Sequence, residues 1–196
     1  MQEKQNIRKT CIQRRNEIDS FSHQRISRII CDSLVELPLW EKADSLFVYA
    51  AKGNEIDLKP LIENAFEERK RVFFPKVFGN EMVFYQVQDF SQLSIGKFDI
   101  FEPTDGLNRW EADDIYDRII MLVPGVAFSY EGQRIGYGKG YYDRYLSKHS
   151  NFYTIGICYD EFLLNPWIAD GSDYPMDFVI TEKRKVQCNG NATGIM

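Results

Sequence analysis

The chain has 196 residues, 44% of them hydrophobic and 27% charged, the make-up of one ordinary globular domain and not of a disordered or collagen-like chain. Its 24 basic and 29 acidic side chains leave a net charge of −5. That balance argues against general nucleic-acid binding, which needs a basic face to displace counterions, yet it leaves room for a small local anion site.

Two helices are expected in the first forty residues. Ile7, Cys11, Arg14 and Ile18 recur at helical spacing in a segment so polar that it should lie on the surface. After Ser22, Ile26, Ile29, Ile30, Leu34 and Leu37 form an apolar stripe that Pro38 ends. Then the period changes. Ser45–Ala50 reads as a buried strand, and Leu58, Leu61, Ile62, Ala65 and Phe66 as one face of an amphipathic helix. Arg71–Phe74 is a second strand, closed by Pro75. This β–α–β order predicts a right-handed parallel crossover. Met82–Val87 is a strand entered through a Gly79-Asn80 turn. Residues 88–117 carry several turn signals and read as an irregular excursion, with a solvated acidic run at Asp113, Asp114 and Asp117. Arg118–Val123 is the most apolar strand and suits the centre of a sheet. A helix around Gly140–Lys148 and strands at Tyr153–Cys158 and Phe178–Thr181 follow. The fold class expected is a three-layer α/β/α sandwich with a mostly parallel sheet, one domain over residues 1–187, with 188–196 as a frayed tail.

The longest apolar run, Ile119 to Phe128, is interrupted by Pro124 and Gly125 and falls far short of the roughly 20 residues that cross a membrane. No apolar block follows the basic N-terminal residues, so no secretory signal is expected. Cys11, Cys31, Cys158 and Cys188 show neither a C-x-x-C pair nor zinc-ligand spacing, which points to reduced thiols in the cytoplasm.

The informative stretch follows the central strand. Four of the 13 glycines fall between Gly132 and Gly140, interleaved with Arg134 and Lys139, just before a helix. Glycine turns backbone amides toward a ligand without a Cβ in the way. Amides, two cations and a helix start, placed past the carboxyl end of a central strand, suit phosphate binding; a solvated glycine-rich loop is the plain alternative. The segment is not a Walker loop, since Gln133 takes the first glycine position and Gly140 the hydroxyl position. Nor is it the dinucleotide fingerprint, which would need glycine at Tyr141.

The string from Gly132 to Asp143, GQRIGYGKGYYD, closely resembles the signature of the 5-formyltetrahydrofolate cyclo-ligase family. Shorter blocks resemble the same family: Lys4-Gln5-Asn6-Ile7-Arg8, Glu55-Ile56-Asp57, Pro75-Lys76-Val77, Glu102-Pro103, Val123–Phe128 and Asp177 to Glu182. Two departures stand out. Gly171-Ser172 precede Asp173 where many members have Glu-His, and Asp99 stands where many have glycine. The resemblance implies a fold of the NagB/RpiA/CoA-transferase class. It also implies ATP-dependent conversion of 5-formyltetrahydrofolate to 5,10-methenyltetrahydrofolate. In that chemistry the formyl oxygen takes the γ-phosphoryl group of ATP, the neighbouring amine N10 attacks the activated carbon, and phosphate departs. The protein positions two substrates and stabilises phosphoryl charge.

By the same resemblance Lys139 contacts the transferring phosphoryl group, with Arg134 as a second cation. ATP is bound by Lys4, Gln5, Asn6, Ile7 and Arg8 and by the segment Arg134, Ile135, Gly136, Tyr137, Gly138, Lys139, Gly140, Tyr141 and Tyr142. Lys4 and Arg8 lie four apart, on one helix face; without the family they would read as a solvated basic face, and with it the first helix should fold back over the glycine loop. Tyr141 and Tyr142 could equally be helix-packing aromatics. The folate would be lined by Ala50 and Glu55 and by Tyr137 to Tyr141, Glu55 accepting pterin N–H groups, or else serving as an acidic helix-start charge. Mg2+ would be held by Asp143 and Asp173 with phosphate and water completing the shell, or else Asp143 is a helix-surface charge and Asp173 a plain turn residue. The partners implied are small molecules, ATP and a formylated tetrahydrofolate, acting on a monomer or weak homo-oligomer with no nucleic acid and no membrane. The rival readings are a sugar-phosphate isomerase or CoA-transferase-like enzyme on a similar sheet, separable by ADP release, and a non-catalytic nucleotide- or folate-binding module.

Overall fold

Three helices lead into the sheet: α1 (Gln2–Asn16), α2 (Ser20–Val35) and α3 (Pro38–Lys42). The computed structural model describes residues 2–96, 99–111, 118–149, 151–167 and 173–188. α2 begins ahead of its apolar stripe because Asp19 caps it, accepting the Ser22 N–H at 2.9 Å. Pro38 does more than stop a helix; it opens α3, where its missing N–H would have had no partner anyway.

The polar α1 is not the surface helix that its composition predicts. Lys4, Cys11 and Arg15 are buried along one face, and Arg15 lies only 4% exposed. The partners waiting on the domain are carbonyls, a carboxylate and a phenol, so a cationic face goes inward where an apolar one was sought.

The remaining elements are β1 (Ser45–Phe47), α4 (Lys59–Glu67), β2 (Arg71–Phe78), β3 (Glu81–Val87), β4 (Leu93–Ile95), β5 (Phe101–Pro103), β6 (Ile119–Pro124), β7 (Ala127–Ser129), β8 (Arg134–Ile135), α5 (Tyr141–Leu146), β9 (Phe152–Ile157), β10 (Leu163–Leu164), β11 (Phe178–Ile180) and β12 (Lys185–Gln187). Seven strands form one sheet in the order β12-β11-β9-β6-β1-β2-β3. The run from β11 to β2 is parallel, and the two edges, β12 and β3, are antiparallel. β6 takes the middle of the sheet, and Ile119 to Val123 are all buried, as a strand covered on both faces requires. Phe47 of β1 anchors an aromatic cluster with Phe73, Phe84, Trp110 and Phe152 at centroid distances of 4.7–5.4 Å. Tyr145 of α5 closes over it, 5.0 Å from Phe84. Among the described residues no helix is long and apolar enough to cross a membrane, and all four cysteines are free.

Pro75 does not close β2. The strand runs on to Phe78, paired with β3 throughout. The Phe73 carbonyl accepts from Val48 on the β1 side, so Pro75, two residues on, points the same way, past the end of β1 at Phe47. No ladder partner is there to miss its N–H. The expected irregular excursion also holds more order than its turn signals suggest: β4 and β5 make an antiparallel hairpin, tied to β2 by Lys76, whose Nζ donates to the Pro103 carbonyl at 2.8 Å. Asp99 takes a left-handed φ of 58°, which explains why a glycine suits this position and why aspartate is tolerated. Asp113, Asp114, Asp117, Gly171, Ser172 and the tail from 189 to 196 lie outside the described residues.

Candidate active site

Past the carboxyl ends of β1, β2 and β6 lies a cavity of about 530 Å3. β6 delivers the chain through Pro124 to β7 and β8, and the segment from Gly136 to Gly140 then crosses the cavity before α5 begins. Gly138 and Gly140 hold φ values of 88° and 64°, a region that L side chains rarely adopt. Tyr141 and Arg144 fasten the segment to the β2–β3 turn: the Tyr141 hydroxyl donates to Gly79 O at 3.0 Å and Arg144 Nη2 to Asn80 O at 2.9 Å. Arg144 Nη1 also donates to the Lys139 carbonyl at 2.8 Å.

α1 folds back over this loop. Arg8 Nε donates to Gly136 O at 2.6 Å, and Lys4 pairs with Asp173. Lys4, Gln5 and Arg8 face the cavity, whereas Asn6 and Ile7 do not line it; Ile7 packs against the hydrophobic core. Lys139 is exposed at the loop, with no acidic partner for its ammonium among the described residues. Arg134 differs. It is 7% exposed, reaches both carboxylate oxygens of Asp143 at 2.8 Å, and lies over the Tyr142 ring at 5.6 Å. Arg134 and Asp143 therefore both line the cavity while bound to each other. The Tyr174 N–H points at Asp143 Oδ1 from 3.4 Å, which brings Asp173 to the same wall.

On another wall Glu55 is buried, 6% exposed. It accepts the Lys52 N–H at 2.9 Å and faces Arg15 at 3.7 Å. Burial pushes its carboxyl above the ordinary value and outweighs the opposing pull of Arg15. Arg15 donates to the Tyr137 hydroxyl, and burial, then the charge of Glu55, push that phenol up to about 12. Ala50 and Tyr49 complete this wall.

The cavity thus gathers residues coded far apart: Lys4 and Arg8, Ala50 and Glu55, Arg134 to Asp143, and Asp173. Sequence reasoning missed Arg15, although Lys4, Arg8, Cys11 and Arg15 share one stripe of a helix. It also missed the third wall, where Pro75, Val77, Met82, Ile100 and Glu102 face the cavity. Of these, Pro75, Val77 and Glu102 appear in the sequence only as parts of short blocks.

The sequence model of the 5-formyltetrahydrofolate cyclo-ligase family matches residues 1–182. A Schizosaccharomyces pombe protein named a probable 5-formyltetrahydrofolate cyclo-ligase is 37% identical over 173 residues, covering 81% of this chain and 84% of its own. The Escherichia coli 5-formyltetrahydrofolate cyclo-ligase is 26% identical over 177 residues, with 88% and 96% covered. Among solved structures, the Aquifex aeolicus 5,10-methenyltetrahydrofolate synthetase superposes with a TM-score of 0.84 at 33% identity, covering 95% of this chain and 93% of that one.

Proposed function

The chain belongs to the 5-formyltetrahydrofolate cyclo-ligase family, and from that premise we propose that its cavity holds ATP beside 5-formyltetrahydrofolate and closes the folate to 5,10-methenyltetrahydrofolate, releasing ADP and phosphate. One observation carries the site assignment: the α1 cations, the glycine loop and the buried Glu55 meet on a single cavity. A formyl oxygen is a poor leaving group until it is phosphorylated, so the protein's task is to hold two ligands in line and to stabilise charge on the phosphoryl oxygens.

Lys4, Gln5 and Arg8 take the polyphosphate from one side, and the amides of Gly136, Gly138 and Gly140 from the other. Lys139, free of an acidic partner among the described residues, is the cation for the transferring phosphoryl group. Arg134 is the second cation; its grip on Asp143 fixes the base of the loop. Glu55, Ala50 and the Tyr137–Tyr141 segment hold the folate, with the Glu55 carboxylate accepting pterin N–H groups.

Asp143 and Asp173 would hold Mg2+. They supply hard oxygen donors on one wall of the cavity, and the described residues contain no cluster of three or more metal-ligating side chains. Such a donor set suits an ion that takes its other ligands from phosphate and water. When bound, the ion supplies neutralisation of phosphate charge. Free cysteines fit the cytoplasm.

The test is a steady-state assay with 5-formyltetrahydrofolate, ATP and magnesium, following methenyl product by absorbance and ADP in parallel. The expected outcome is one ADP per methenyl product. Folded protein that makes neither at saturating ligands overturns the reading.

A further inference from the structure

The third wall of the cavity carries one charge that the preceding account leaves without work. Glu102 sits on β5, 9% exposed, on a wall otherwise formed by Pro75, Val77, Met82 and Ile100. Among the described residues its carboxylate has no hydrogen-bond or ion-pair partner. The nearby Lys76 is spent elsewhere, on the Pro103 carbonyl at 2.8 Å and the Asp105 carboxylate at 2.7 Å. The side chain is buried while its carboxylate oxygens stay open to the cavity, and an acceptor placed so is satisfied when a ligand supplies an N–H.

The position is built. Lys76 ties β5 to β2 beside Glu102, and Gly96, across the β4–β5 hairpin, makes room for the carboxylate. A Cβ at residue 96 would lie 2.3 Å from Glu102 Oε2. An apolar wall with one acceptor suits an aromatic ring bearing an N–H. The proposed reaction brings such a group to the cavity and requires its proton to leave: N10, whose nitrogen is attached to an aryl ring.

We infer that Glu102 is a catalytic residue, the general base that accepts the N10 proton during ring closure; the inference rests on the cyclo-ligase reading of this cavity. After the formyl oxygen has taken the γ-phosphoryl group and ADP has formed, the N10 lone pair bonds to the activated formyl carbon. The N10–H bond breaks and its proton passes to Glu102. The C–O bond then breaks, phosphate leaves with that electron pair, and the methenyl cation remains. The departing phosphate takes the proton and returns Glu102 to its carboxylate form. An N-aryl ammonium on such an adduct is a stronger acid than a carboxylic acid, so the transfer runs downhill.

The experiment compares the full-length protein with Glu102→Gln and Gly96→Ala, measuring methenyl product, ADP, both KM values and the thermal midpoint. Glu102→Gln keeps the shape and cannot take the proton. Methenyl formation should fall by about 10²–10⁴-fold, while the KM for ATP stays unchanged. ADP formation should fall less, because the phosphorylated intermediate is hydrolysed back to formylfolate and phosphate, so ADP per methenyl rises above one. Gly96→Ala, which displaces the carboxylate without removing it, should give the same imbalance in weaker form. An ADP-to-methenyl ratio of one in both variants overturns the inference. So does a selective rise in the KM for ATP, which would place Glu102 on the adenine amine, or a loss of activity explained by a lowered thermal midpoint alone. Absence of methenyl product from the unsubstituted protein overturns the cyclo-ligase reading and this inference with it; the variant outcomes bear on Glu102 alone.

Discussion

Two walls of one cavity are built on different principles. The glycine-loop wall is made of backbone: its shape comes from two left-handed glycines, and Lys139, its central cation, is exposed. The Glu55 wall is made of side chains locked before any ligand arrives, with Arg15 buried against both Glu55 and Tyr137. The contrast matches what each would receive. A polyphosphate brings several charges in flexible array and is gripped by amides and cations. A pterin is rigid and neutral, and it needs fixed acceptors. A wall of the second kind must be stable by itself, whereas one of the first kind can be neutral to folding.

That contrast can be broken by substitution. Arg15→Ala removes the cation that faces Glu55 at 3.7 Å; stripping one partner from a buried pair typically costs about 3–5 kcal/mol. The expected result is a large fall in unfolding free energy by urea titration, together with a raised KM for folate. An unchanged midpoint would mean that the Glu55 wall is no more preorganised than the loop. Lys139→Ala should do the reverse: turnover lost by about 10²–10³-fold, by analogy with removal of one oxyanion-hole donor, and a thermal midpoint at the unsubstituted value. A fall in stability matching the fall in turnover would show that Lys139 is a structural residue, and the two walls would no longer differ.

The same division decides what could be read from the sequence. The sheet was legible because its signals are apolar: the run at Arg118–Val123 marks the central strand, and the β–α–β order marks the parallel pair β1 and β2. The glycine loop was legible because backbone chemistry leaves a mark in residue type. The Glu55 wall was half legible. Glu55 came through a short block, but Arg15 was hidden because a buried arginine looks in sequence like a solvated one. Only the carboxylate and phenol that meet it in space distinguish the two. Pro75 was misread for a related reason: whether a proline ends a strand depends on whether a neighbour awaits its N–H, and β1 had already stopped. Glu102 needed the hairpin of β4 and β5, which turn signals around Gly96 and Pro103 obscured.

The smallest effect separates the walls by titration. No charge change is built into glycine amides, but the Glu55 wall holds three groups displaced by burial, Tyr49, Glu55 and Tyr137. Tyr137 keeps its proton until about pH 12 in the folded chain, whereas an unfolded tyrosine releases it near 10, so the unfolded state binds fewer protons between those values and stability falls as pH rises through that window. Tyr137→Phe should flatten part of that alkaline decline, the remainder belonging to other buried tyrosines such as Tyr142 and Tyr145. Glu55 follows the same sign at the acid end. Its folded carboxyl holds the proton above the ordinary carboxylate value, so stability declines as pH climbs from that value through the raised one, and Glu55→Gln removes this slope. Folate affinity should move oppositely, improving over the same interval as the carboxylate that accepts pterin N–H groups appears, while the KM for ATP does not share the change. A common pH dependence for both ligands would place Glu55 outside the folate wall and leave the two halves of the cavity chemically alike.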